Sequence, residues 1–447
     1  MDTLQYSGVP DRYINLVILG DGYTLNQLDT FAQDARQLSE YLLTQKPFVN
    51  YKKYFNIFAI RVISNESGAK HPNTASDCQG LTSIYPITNP DTYFSCSFDI
   101  GNIHRLIVPL KSNKIGDILF KQMPLYDQIF IISNSPYYGG SGGSYACSTV
   151  HAASKEVTAH EIGHSFAGLS DEYYAGDGYA RESANMTMTT NPDSVRWKNW
   201  LNIDGIGIYQ HCCGGNSALW YKPHLSCKMQ ALNNPFCNVC MQSIVVKIHQ
   251  LTNSIVQYEP KELSITDPSI DTLTFKLTEL MRPEPNTLKL VWNLNGKTIF
   301  KQKDSILILK SKLVLGNNNI SLSLTDTTSF IKIDNYEVTT LELVNWFIKK
   351  TISRTEVISS RNEIILSLYS NPVSNVLSFS IEPKKEVKLG TIQIMDLEGR
   401  IYLINRMNLL ITEKFEQQLD ISNLPIGIYK LVMEIDKTNQ ALSFIKK

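Results

Sequence analysis

The stretch YINLVILGDGYT, Tyr13 to Thr24, carries the signal that decides the fold of the first half of the chain. Its apolar run, residues 14–19, lacks a strict alternation with polar residues, which is typical of a strand buried on both faces. Thr24 is followed three positions later by Gln27, as in the capping box that begins a helix. Apolar residues then recur at helical spacing on one face: Leu28, Phe31, Ala35, Leu38 and Leu42.

Two further apolar runs, YFNIFAIRVI (54–63) and DQIFIISN (127–134), are strands of the same buried kind. Strands that alternate with helices predict a β-α-β arrangement around a largely parallel sheet. The segment YYGGSGGSYACS (137–148) predicts a glycine-rich loop that leads to a short, exposed strand. Such a strand edge would accept an extended peptide through backbone hydrogen bonds. We expect one α/β domain over residues 1–252.

The pattern changes after residue 252, where short alternating runs such as LTFKLTEL (273–280) and ISLSLTD (320–326) replace the mixed pattern. Turn residues such as Asn295-Gly296 separate these runs, as in all-β sandwiches. We therefore predict an immunoglobulin-like β-sandwich over residues 253–355. A third block, with runs such as VLSFSIEP (376–383) and GIYKLVMEI (427–435), predicts a second β-sandwich domain over residues 362–447.

Composition excludes several classes of protein. The chain has 447 residues, of which 43% are hydrophobic, and 42 Lys and Arg balance 42 Asp and Glu. A zero net charge argues against binding to nucleic acid or to an anionic membrane, which depends on clustered positive charge. No apolar run approaches the ~20 residues of a transmembrane helix. The start, MDTLQYSGVPDRY, lacks the features of a signal peptide, so the chain is either cytosolic or begins after a removed leader.

The cysteines favour an exported protein. All eight lie in one region, at positions 78, 96, 147, 212, 213, 227, 237 and 240. An even number confined to one region predicts disulfides formed in an oxidising compartment. A structural zinc site built from Cys227, Cys237, Cys240 and one more thiolate is the alternative.

The segment EVTAHEIGHSFAGLSDEYY (156–174) contains the candidate catalytic residues. His160 and His164 are four residues apart, so on a helix they share a face and both imidazoles can reach one zinc ion. Glu161 lies beside them and is placed to take a proton from zinc-bound water, as in the HExxH arrangement. Gly168 is placed to end the helix. The alternative is an ordinary surface helix with two solvated histidines.

A catalytic zinc ion needs a third protein ligand and one open position. After the turn at Gly168, either Asp171 or Glu172 could come back beneath the metal. The metzincin pattern places its glycine and its third ligand one residue earlier than the landmarks of this sequence. We favour Asp171, with Glu172 second. Four other residues remain possible ligands: Glu182, His151, His211 and His224.

Two residues further along the chain are candidate parts of the same site. Met229 is placed to form a methionine turn beneath the zinc, although a single methionine more often fills a core. Tyr221 is a candidate donor to the oxyanion that develops during hydrolysis, although aromatic packing would explain it equally well.

Residues 12–245 resemble the IgA-peptidase family of bacterial zinc metallopeptidases, which has a metzincin-like catalytic domain. The resemblance rests on LVILGDGYT (16–24), YFNIFAIRV (54–62), SNESGAKHP (64–72), DQIFIISNSPYYGGSGG (127–143), HEIGHSFAGLSDEYY (160–174), and YKPHLSCKM (221–229) with PFCNVC (235–240). It implies zinc-dependent peptide-bond hydrolysis with one catalytic Zn²⁺. It also implies that His160 and His164 are ligands, that Glu161 is the general base and that Asp171 is the third ligand.

The last block, from about residue 364, resembles the C-terminal sorting domain of the type IX secretion pathway. The resemblance rests on LYSNPVSNVLSFSI (368–381), IMDLEGR (394–400), DISNLPIGIYKLVM (420–433) and SFIKK (443–447). It implies recognition by the type IX machinery and export across the outer membrane of a Gram-negative bacterium, as a secreted or surface protein.

We therefore predict a secreted zinc endopeptidase in which Glu161 activates the zinc-bound water. The substrate is a protein, with immunoglobulin A or another host glycoprotein as the candidate. The alternative is a surface adhesin or glycan-binding protein with a vestigial metal site, which the two β blocks would suit.

Overall fold

The computed structural model describes residues 1–176, 178–266, 268, 271–351, 354–360, 364–369 and 371–447. The chain divides into two compact units. The larger unit consists of Met1–Leu263, Thr274–Ile308 and Asn319–Trp346, and the smaller of Ser264–Leu273, Leu309–Asn318 and Phe347–Lys447. Within the described ranges, no helix has the length and apolar character that a membrane crossing requires.

The N-terminal region is a mixed α/β structure. Its strands are β1 (Asp2–Gln5), β2 (Ile14–Asp21), β3 (Phe55–Ile60), β4 (Cys96–Ser97), β5 (Val108–Pro109), β6 (Gln128–Ser133), β7 (Gly140–Ser141), β8 (Ala146–Thr149), β9 (Tyr209–Gln210) and β10 (Tyr221–Lys222). Its helices are α1 (Leu28–Leu42), α2 (Asn113–Gln122), α3 (Ser154–Ala167) and α4 (Asn238–Leu251). Short 3₁₀ helices occupy Leu25–Gln27, Lys52–Tyr54, Ile100–Asn102, Lys198–Trp200 and Asn216–Leu219.

The central sheet has the strand order β1-β3-β2-β6-β8-β7. The pairs β3-β2, β2-β6 and β6-β8 are parallel, whereas β1 and β7 pair antiparallel at the two ends. Residues of α1, α3 and α4 belong to one hydrophobic core, and residues of α2 belong to another. Helices therefore cover both faces of the sheet, as the alternating pattern of strands and helices predicted.

Residues 13–24 and the helix that follows them fold as the sequence predicted. Every residue of β2 is buried. The Thr24 N–H donates to Gln27 Oε1 at 3.0 Å, which completes one half of the predicted capping box. Of the predicted apolar face of α1, four residues are fully buried, and only Leu28 is partly exposed.

The glycine-rich segment differs from its prediction. The strand that follows it, β8, is buried and lies between β6 and β7, so it is not an exposed edge. The end strand β7 is also partly bonded, since the Gly140 N–H donates to the Arg105 carbonyl at 3.1 Å. The end strand of the sheet is therefore β7, part of the glycine-rich segment itself, and the predicted peptide-accepting edge stays a prediction for that segment.

The described residues between positions 255 and 350 form mainly β-structure. The strands are β11 (Ile255–Glu259), β12 (Ser264–Thr266), β13 (Thr272–Leu280), β14 (Leu288–Leu294), β15 (Lys297–Lys301), β16 (Ser305–Leu309), β17 (Gly316–Asp326) and β18 (Glu342–Lys350). They form one sheet of order β11-β13-β16 and a second of order β12-β18-β17-β14-β15. A short helix, α5 (Tyr336–Thr339), and a 3₁₀ turn at Lys310–Lys312 complete this part.

Within the larger unit, a buried polar group joins the β-structure to the N-terminal region. The Tyr51 hydroxyl donates to the Asp326 carboxylate at 2.7 Å, and His249 Nε2 lies 3.1 Å from the same oxygen. Burial raises the pKa of Asp326, but these hydrogen bonds outweigh it and lower the pKa below its usual value. A buried carboxylate is tolerated here because it is fully paired.

The C-terminal residues of the smaller unit form two four-stranded sheets around their own core. The strands are β19 (Arg354–Ser360), β20 (Ile364–Tyr369), β21 (Val376–Pro383), β22 (Val387–Asp396), β23 (Ile401–Ile411), β24 (Phe415–Asp420), β25 (Gly427–Ile435) and β26 (Thr438–Lys446). The sheet orders are β19-β20-β21-β24 and β23-β22-β25-β26. Inward residues alternate along the strands, as in β21, where Leu377, Phe379 and Ile381 are all fully buried.

The cysteines also differ from their prediction. All eight lie among the described residues as free thiols, and no disulfide joins any two of them there. Three of them, Cys227, Cys237 and Cys240, lie together with a carboxylate in one buried group. An even number of cysteines therefore does not indicate disulfides here, because three of them meet one another instead of forming separate pairs.

Candidate metal centre

Helix α3 carries the three residues of the HExxH pattern. It buries Val157, Ile162 and Phe166. Gly168 ends the helix in the left-handed region at φ +65°, as the sequence predicted, and its N–H donates to the His164 carbonyl at 2.9 Å. The chain turns sharply at this glycine, which brings the following residues back toward the helix.

The turn places Asp171 against the two histidines. The Nε2 atoms of His160 and His164 lie 3.1 Å apart. Asp171 Oδ1 lies 3.0 Å from the first Nε2 and 3.2 Å from the second. The three predicted ligand atoms thus converge on one point, beside Glu161, which belongs to the same candidate metal-binding group as the histidines.

The remaining ring nitrogens of the histidines have fixed partners. His160 Nδ1 lies 3.0 Å from the Lys228 carbonyl, and His164 Nδ1 lies 2.7 Å from the Leu169 carbonyl. A carbonyl oxygen can only accept, so each Nδ1 carries the proton and each Nε2 keeps a lone pair when the ring is neutral. Metal-binding histidines are oriented in this way by their outer partners.

The distances fit a small tetrahedral metal ion. Ligand atoms that each lie ~2.0–2.1 Å from zinc at tetrahedral angles are themselves roughly 3.3 Å apart. The observed separations of 3.0–3.2 Å are close to that value. Two imidazoles and one carboxylate also form a donor set that is common at catalytic zinc sites.

Electrostatics favour a cation at this point. Burial raises the pKa of Asp171, but the hydrogen bonds from His160 and His164 outweigh it, so the pKa lies well below its usual range. Burial lowers the pKa of His164, and the hydrogen bond to Asp171 reverses this and raises the pKa to about 9. The carboxylate therefore attracts positive charge to the same position.

Glu161 is placed differently from the three candidate ligands. Burial raises the pKa of its carboxyl, and the neighbouring histidines only partly oppose that effect. A carboxylate with a raised pKa is better suited to accept and return a proton. Its oxygen reaches the backbone of β7, where a Cβ atom added to Gly140 would lie only 2.5 Å from Glu161 Oε1. Glycine is therefore required at this position for helix and strand to approach so closely.

Glu172, the second choice for third ligand, points to a different place. Its side chain is fully buried, and Oε1 accepts a hydrogen bond from Asn185 Nδ2 at 2.9 Å. It belongs to the buried group with the three cysteines, not to the group of the histidines. The structure therefore separates the two adjacent carboxylates that the sequence left as alternatives.

The other possible ligands lie elsewhere. Glu182 pairs with Arg196 at 3.1 Å and also accepts the Met188 N–H. The residues described as lining the cavity around Asp171 include none of the remaining three candidates, His151, His211 and His224.

Met229 and Tyr221 have different placements. Met229 is fully buried beneath α3, where its sulfur would lie 2.9 Å from a Cβ atom added to Gly163. It follows Lys228, whose carbonyl holds His160. Tyr221 lies in β10 and does not appear among the described residues that line the cavity. Its position gives no support to the oxyanion role predicted for it.

A cavity of about 650 Å³ opens over the histidines and Asp171. Its lining includes three residues that sequence reasoning missed: Arg105, Tyr138 and Tyr173. The Arg105 guanidinium lies 5.6 Å from the centre of the Tyr173 ring and donates to its hydroxyl at 3.5 Å. Tyr173 belongs to the quoted segment after the helix, so its proximity could have been suspected. Arg105 lies 55 residues before His160 and no spacing rule connects the two.

Comparison with known families confirms the predicted resemblance over two segments. Residues 3–209 match the family model described as IgA Peptidase M64, and residues 367–447 match the model described as Secretion system C-terminal sorting domain. The first is a metallopeptidase family, which supports a metallopeptidase-type function for the N-terminal region. The second supports secretion or a location on the outer-membrane surface.

Other comparisons add little. No curated protein matches the chain. Among solved structures, fibronectin(III)-like modules of Clostridium thermocellum CbhA are 9% identical with a TM-score of 0.16, and the match covers 42% of this chain and 93% of that one. Dimeric latent PorU from Porphyromonas gingivalis is 14% identical with a TM-score of 0.16, over 43% of this chain and 20% of that one. Neither similarity supports a conclusion about fold or function.

Proposed function

We propose that the chain is a secreted zinc-dependent endopeptidase with a metzincin-like catalytic domain at residues 1–252. In this proposal an immunoglobulin-like sandwich occupies 253–355 and the sorting domain 362–447. The observation that carries the proposal is the convergence of His160 Nε2, His164 Nε2 and Asp171 Oδ1 within 3.2 Å of one another, in a cavity that Glu161 also lines. The match to a metallopeptidase family supports the same function.

In the proposed mechanism, His160, His164 and Asp171 hold one zinc ion. When bound, zinc would polarise the scissile carbonyl and lower the pKa of water in the cavity. Glu161 accepts a proton from the attacking water through its buried carboxylate. It then donates this proton to the leaving amine, so that the residue starts the next cycle ionised.

Negative charge that develops on the carbonyl oxygen needs a donor in the cavity. Arg105 lines the cavity and lies beside Tyr173, whereas Tyr221 lies outside the described lining. A positioned guanidinium or tyrosine hydroxyl stabilises such an oxyanion. We therefore assign this role to Arg105, with Tyr173 holding its guanidinium.

The substrate is proposed to be a protein, and immunoglobulin A is the candidate that the family description names. The C-terminal domain would be recognised by the type IX secretion machinery, which would place the enzyme outside the cell or on its surface.

The test compares Glu161→Gln with wild type for zinc content and for cleavage of casein and immunoglobulin A. We expect equal zinc content, because glutamine leaves the three ligands in place, and cleavage reduced by about 10²–10⁴-fold, the usual contribution of a general base. Lys155→Gln, an exposed position on the same helix, is the matched control and should cleave like wild type.

A His160→Ala/His164→Ala variant identifies the zinc at this site, because it should contain one zinc fewer per chain than wild type. Wild-type cleavage by Glu161→Gln would contradict the mechanism. Unchanged zinc content in the double alanine variant would contradict the metal site, and the adhesin with a vestigial site would then be the better interpretation.

A further inference from the structure

A second group of metal-ligating side chains lies outside the catalytic cavity. Glu172, Cys227, Cys237 and Cys240 each offer one ligand atom, and these four atoms lie within 4.8 Å of one another. None of the four residues lines the cavity over the histidines in the part of the chain that the structure describes. Three are fully buried, and Cys237 is 7% exposed.

Three separate segments supply these side chains. Cys237 immediately precedes α4, and Cys240 lies in the first turn of that helix. Cys227 comes from the loop before it, and Glu172 from the turn after α3. Two cysteines separated by two residues at the start of a helix, with a third cysteine and another ligand from elsewhere, form a pattern typical of structural zinc sites.

The distances within the group match a tetrahedral zinc ion. Two sulfurs that each lie ~2.3 Å from zinc are roughly 3.8 Å apart, and a sulfur and an oxygen are roughly 3.5 Å apart. The Sγ atoms of Cys227 and Cys240 lie 3.6 Å apart. Cys240 Sγ lies 3.4 Å from Glu172 Oε1.

The hydrogen bonds around the group leave one potential ligand atom without a partner among the described residues. Glu172 Oε2 is buried and has no hydrogen-bond partner within the described residues. A buried carboxylate oxygen in this position normally has a partner, because its desolvation is otherwise uncompensated. Cys227 Sγ accepts the Cys237 N–H at 3.3 Å, a bond that favours the thiolate form of a ligand.

Nearby positive charge would balance such a site. Three thiolates and one carboxylate around Zn²⁺ leave a net charge of about −2. The buried Lys222 ammonium donates to the Glu172 carbonyl at 2.6 Å. Cys237 is the N-cap residue of α4, whose N-terminus carries a partial positive charge.

We propose that Cys227, Cys237, Cys240 and Glu172 bind a second, structural zinc ion. A disulfide between two of the thiols would leave the third thiol and the carboxylate without a function in the group. One zinc ion uses all four. The site is closed, since four protein ligands leave no position for water or substrate.

The second site would stabilise the two chain segments that position Asp171 and His160 in the catalytic cavity. Glu172 follows Asp171 directly, and its N–H donates to the Met229 carbonyl at 2.8 Å. Cys227 precedes Lys228, whose carbonyl holds His160. A metal ion between Glu172 and Cys227 would therefore fix both segments that position the cavity residues.

The test measures zinc per chain and the zinc X-ray absorption spectrum of the full chain, purified under reducing conditions. We expect two zinc ions in wild type. The His160→Ala/His164→Ala variant should keep one, with a spectrum dominated by Zn–S distances of ~2.3 Å. The Cys237→Ser/Cys240→Ser variant should also keep one, with nitrogen and oxygen neighbours only. Cys96→Ala, which removes a buried thiol elsewhere, should keep two.

The outcomes separate this proposal from the proposed function. If wild type holds one zinc that the double alanine variant loses, the second site is wrong and the catalytic site stands. If wild type holds one sulfur-bound zinc that the double alanine variant keeps, the second site stands and the catalytic site fails. The double alanine variant leaves the thiols untouched, so the proposal stays testable even if the cysteine variant does not fold.

A second measurement addresses oxidation. Alkylation of the denatured, unreduced protein followed by mass spectrometry should find Cys227, Cys237 and Cys240 all as free thiols. A disulfide among these three would overturn the proposal.

Discussion

The two groups of metal-ligating residues differ in access, although they are joined by a single peptide bond between Asp171 and Glu172. The first group, His160, His164 and Asp171, lines an open cavity of about 650 Å³. The second, with Glu172 and three cysteines, is buried. Open zinc sites with three ligands carry out chemistry, whereas closed sites with four ligands stabilise a fold. In the proposed assignment, two adjacent carboxylates therefore bind two different zinc ions, one at an open site and one at a closed site.

The backbone explains why the two side chains diverge. Helix α3 ends at Gly168, and backbone N–H groups on either side of Asp171 are then held by hydrogen bonds. The Ser170 N–H donates to Asn185 Oδ1 at 2.8 Å, and the Glu172 N–H donates to the Met229 carbonyl at 2.8 Å. Asp171, between these two anchors, is held toward the histidines.

The largest difference between the two proposed sites is expected when each carboxylate is replaced by its amide. Asp171→Asn removes a proposed ligand of the open site, and we expect cleavage to fall by more than about 10²-fold, because ligand loss exceeds the 10–100-fold cost of losing an outer partner. Glu172→Gln should reduce cleavage less than about tenfold but lower Tm by roughly several degrees, because a closed zinc site contributes to folding. Cleavage assays and thermal unfolding measure the two effects.

Thermal unfolding of Asp171→Asn should be close to that of the His160→Ala/His164→Ala variant, which lacks the same zinc. Equal losses of activity in Asp171→Asn and Glu172→Gln would show that the two carboxylates serve one site, and the contrast drawn between them would be wrong.

A smaller effect is expected where β7 and the residues after it approach the catalytic helix. A Cβ atom added to Gly142 would lie 2.4 Å from His164 Cβ, whereas one added to Gly143 would meet nothing within 4 Å. Gly142→Ala should therefore displace His164, reduce cleavage by about tenfold and cost about 1–3 kcal/mol in the free energy of unfolding. Gly143→Ala is the matched control. Wild-type zinc affinity and activity in Gly142→Ala would mean that the segment moves away from the helix without effect.

The sequence predicted the parts of the molecule that depend on local periodicity. The buried strands β2 and β6, helix α1 and the end of α3 at Gly168 follow from apolar spacing and turn chemistry. Both family resemblances followed from ordered motifs and are confirmed over residues 3–209 and 367–447.

The long-range contacts could not be predicted from the sequence. It favoured Asp171 but kept Glu172 as the second choice, because a turn at glycine can direct either one to the metal. It also favoured disulfides, because spacing alone does not reveal that Glu172 meets Cys227, 55 residues further along the chain. Arg105 enters the cavity from a loop with no motif of its own.

A third group extends the comparison, since Cys78, Asp99 and His104 also bring ligand atoms together. Most polar atoms of these three residues form hydrogen bonds within the protein, and His104 Nε2 is the exception among the described residues. His104 Nδ1 lies 2.7 Å from Asp99 Oδ1, and the Thr74 N–H donates to Asp99 Oδ2 at 2.6 Å. The Cys78 thiol also donates to this carboxylate, at 3.4 Å. Hydrogen bonds therefore occupy the Asp99 carboxylate, the Cys78 thiol and His104 Nδ1, and we propose no metal ion for this group.

His71, which lies beside this group, gives the smallest predicted effect. Its ring centre lies 4.0 Å from that of Phe98, and neither of its nitrogens has a hydrogen-bond partner among the described residues. Burial, assisted by the nearby His104, lowers the pKa of His71 to about 4. The unfolded chain, with a pKa of about 6.5, therefore takes up the proton first as the pH falls. Stability should be lost between about pH 6.5 and pH 4.

Replacement of His71 by phenylalanine tests this assignment, because the ring is kept and the two unpartnered nitrogens are removed. Unfolding by urea at several pH values should show that His71→Phe loses less stability than wild type between about pH 6.5 and pH 4. The two proteins should differ by a constant amount above that range, where histidine is neutral in both states. Parallel stability curves across the whole range would mean that another buried group takes up the proton. The pKa of His71 in the folded protein would then not be lowered.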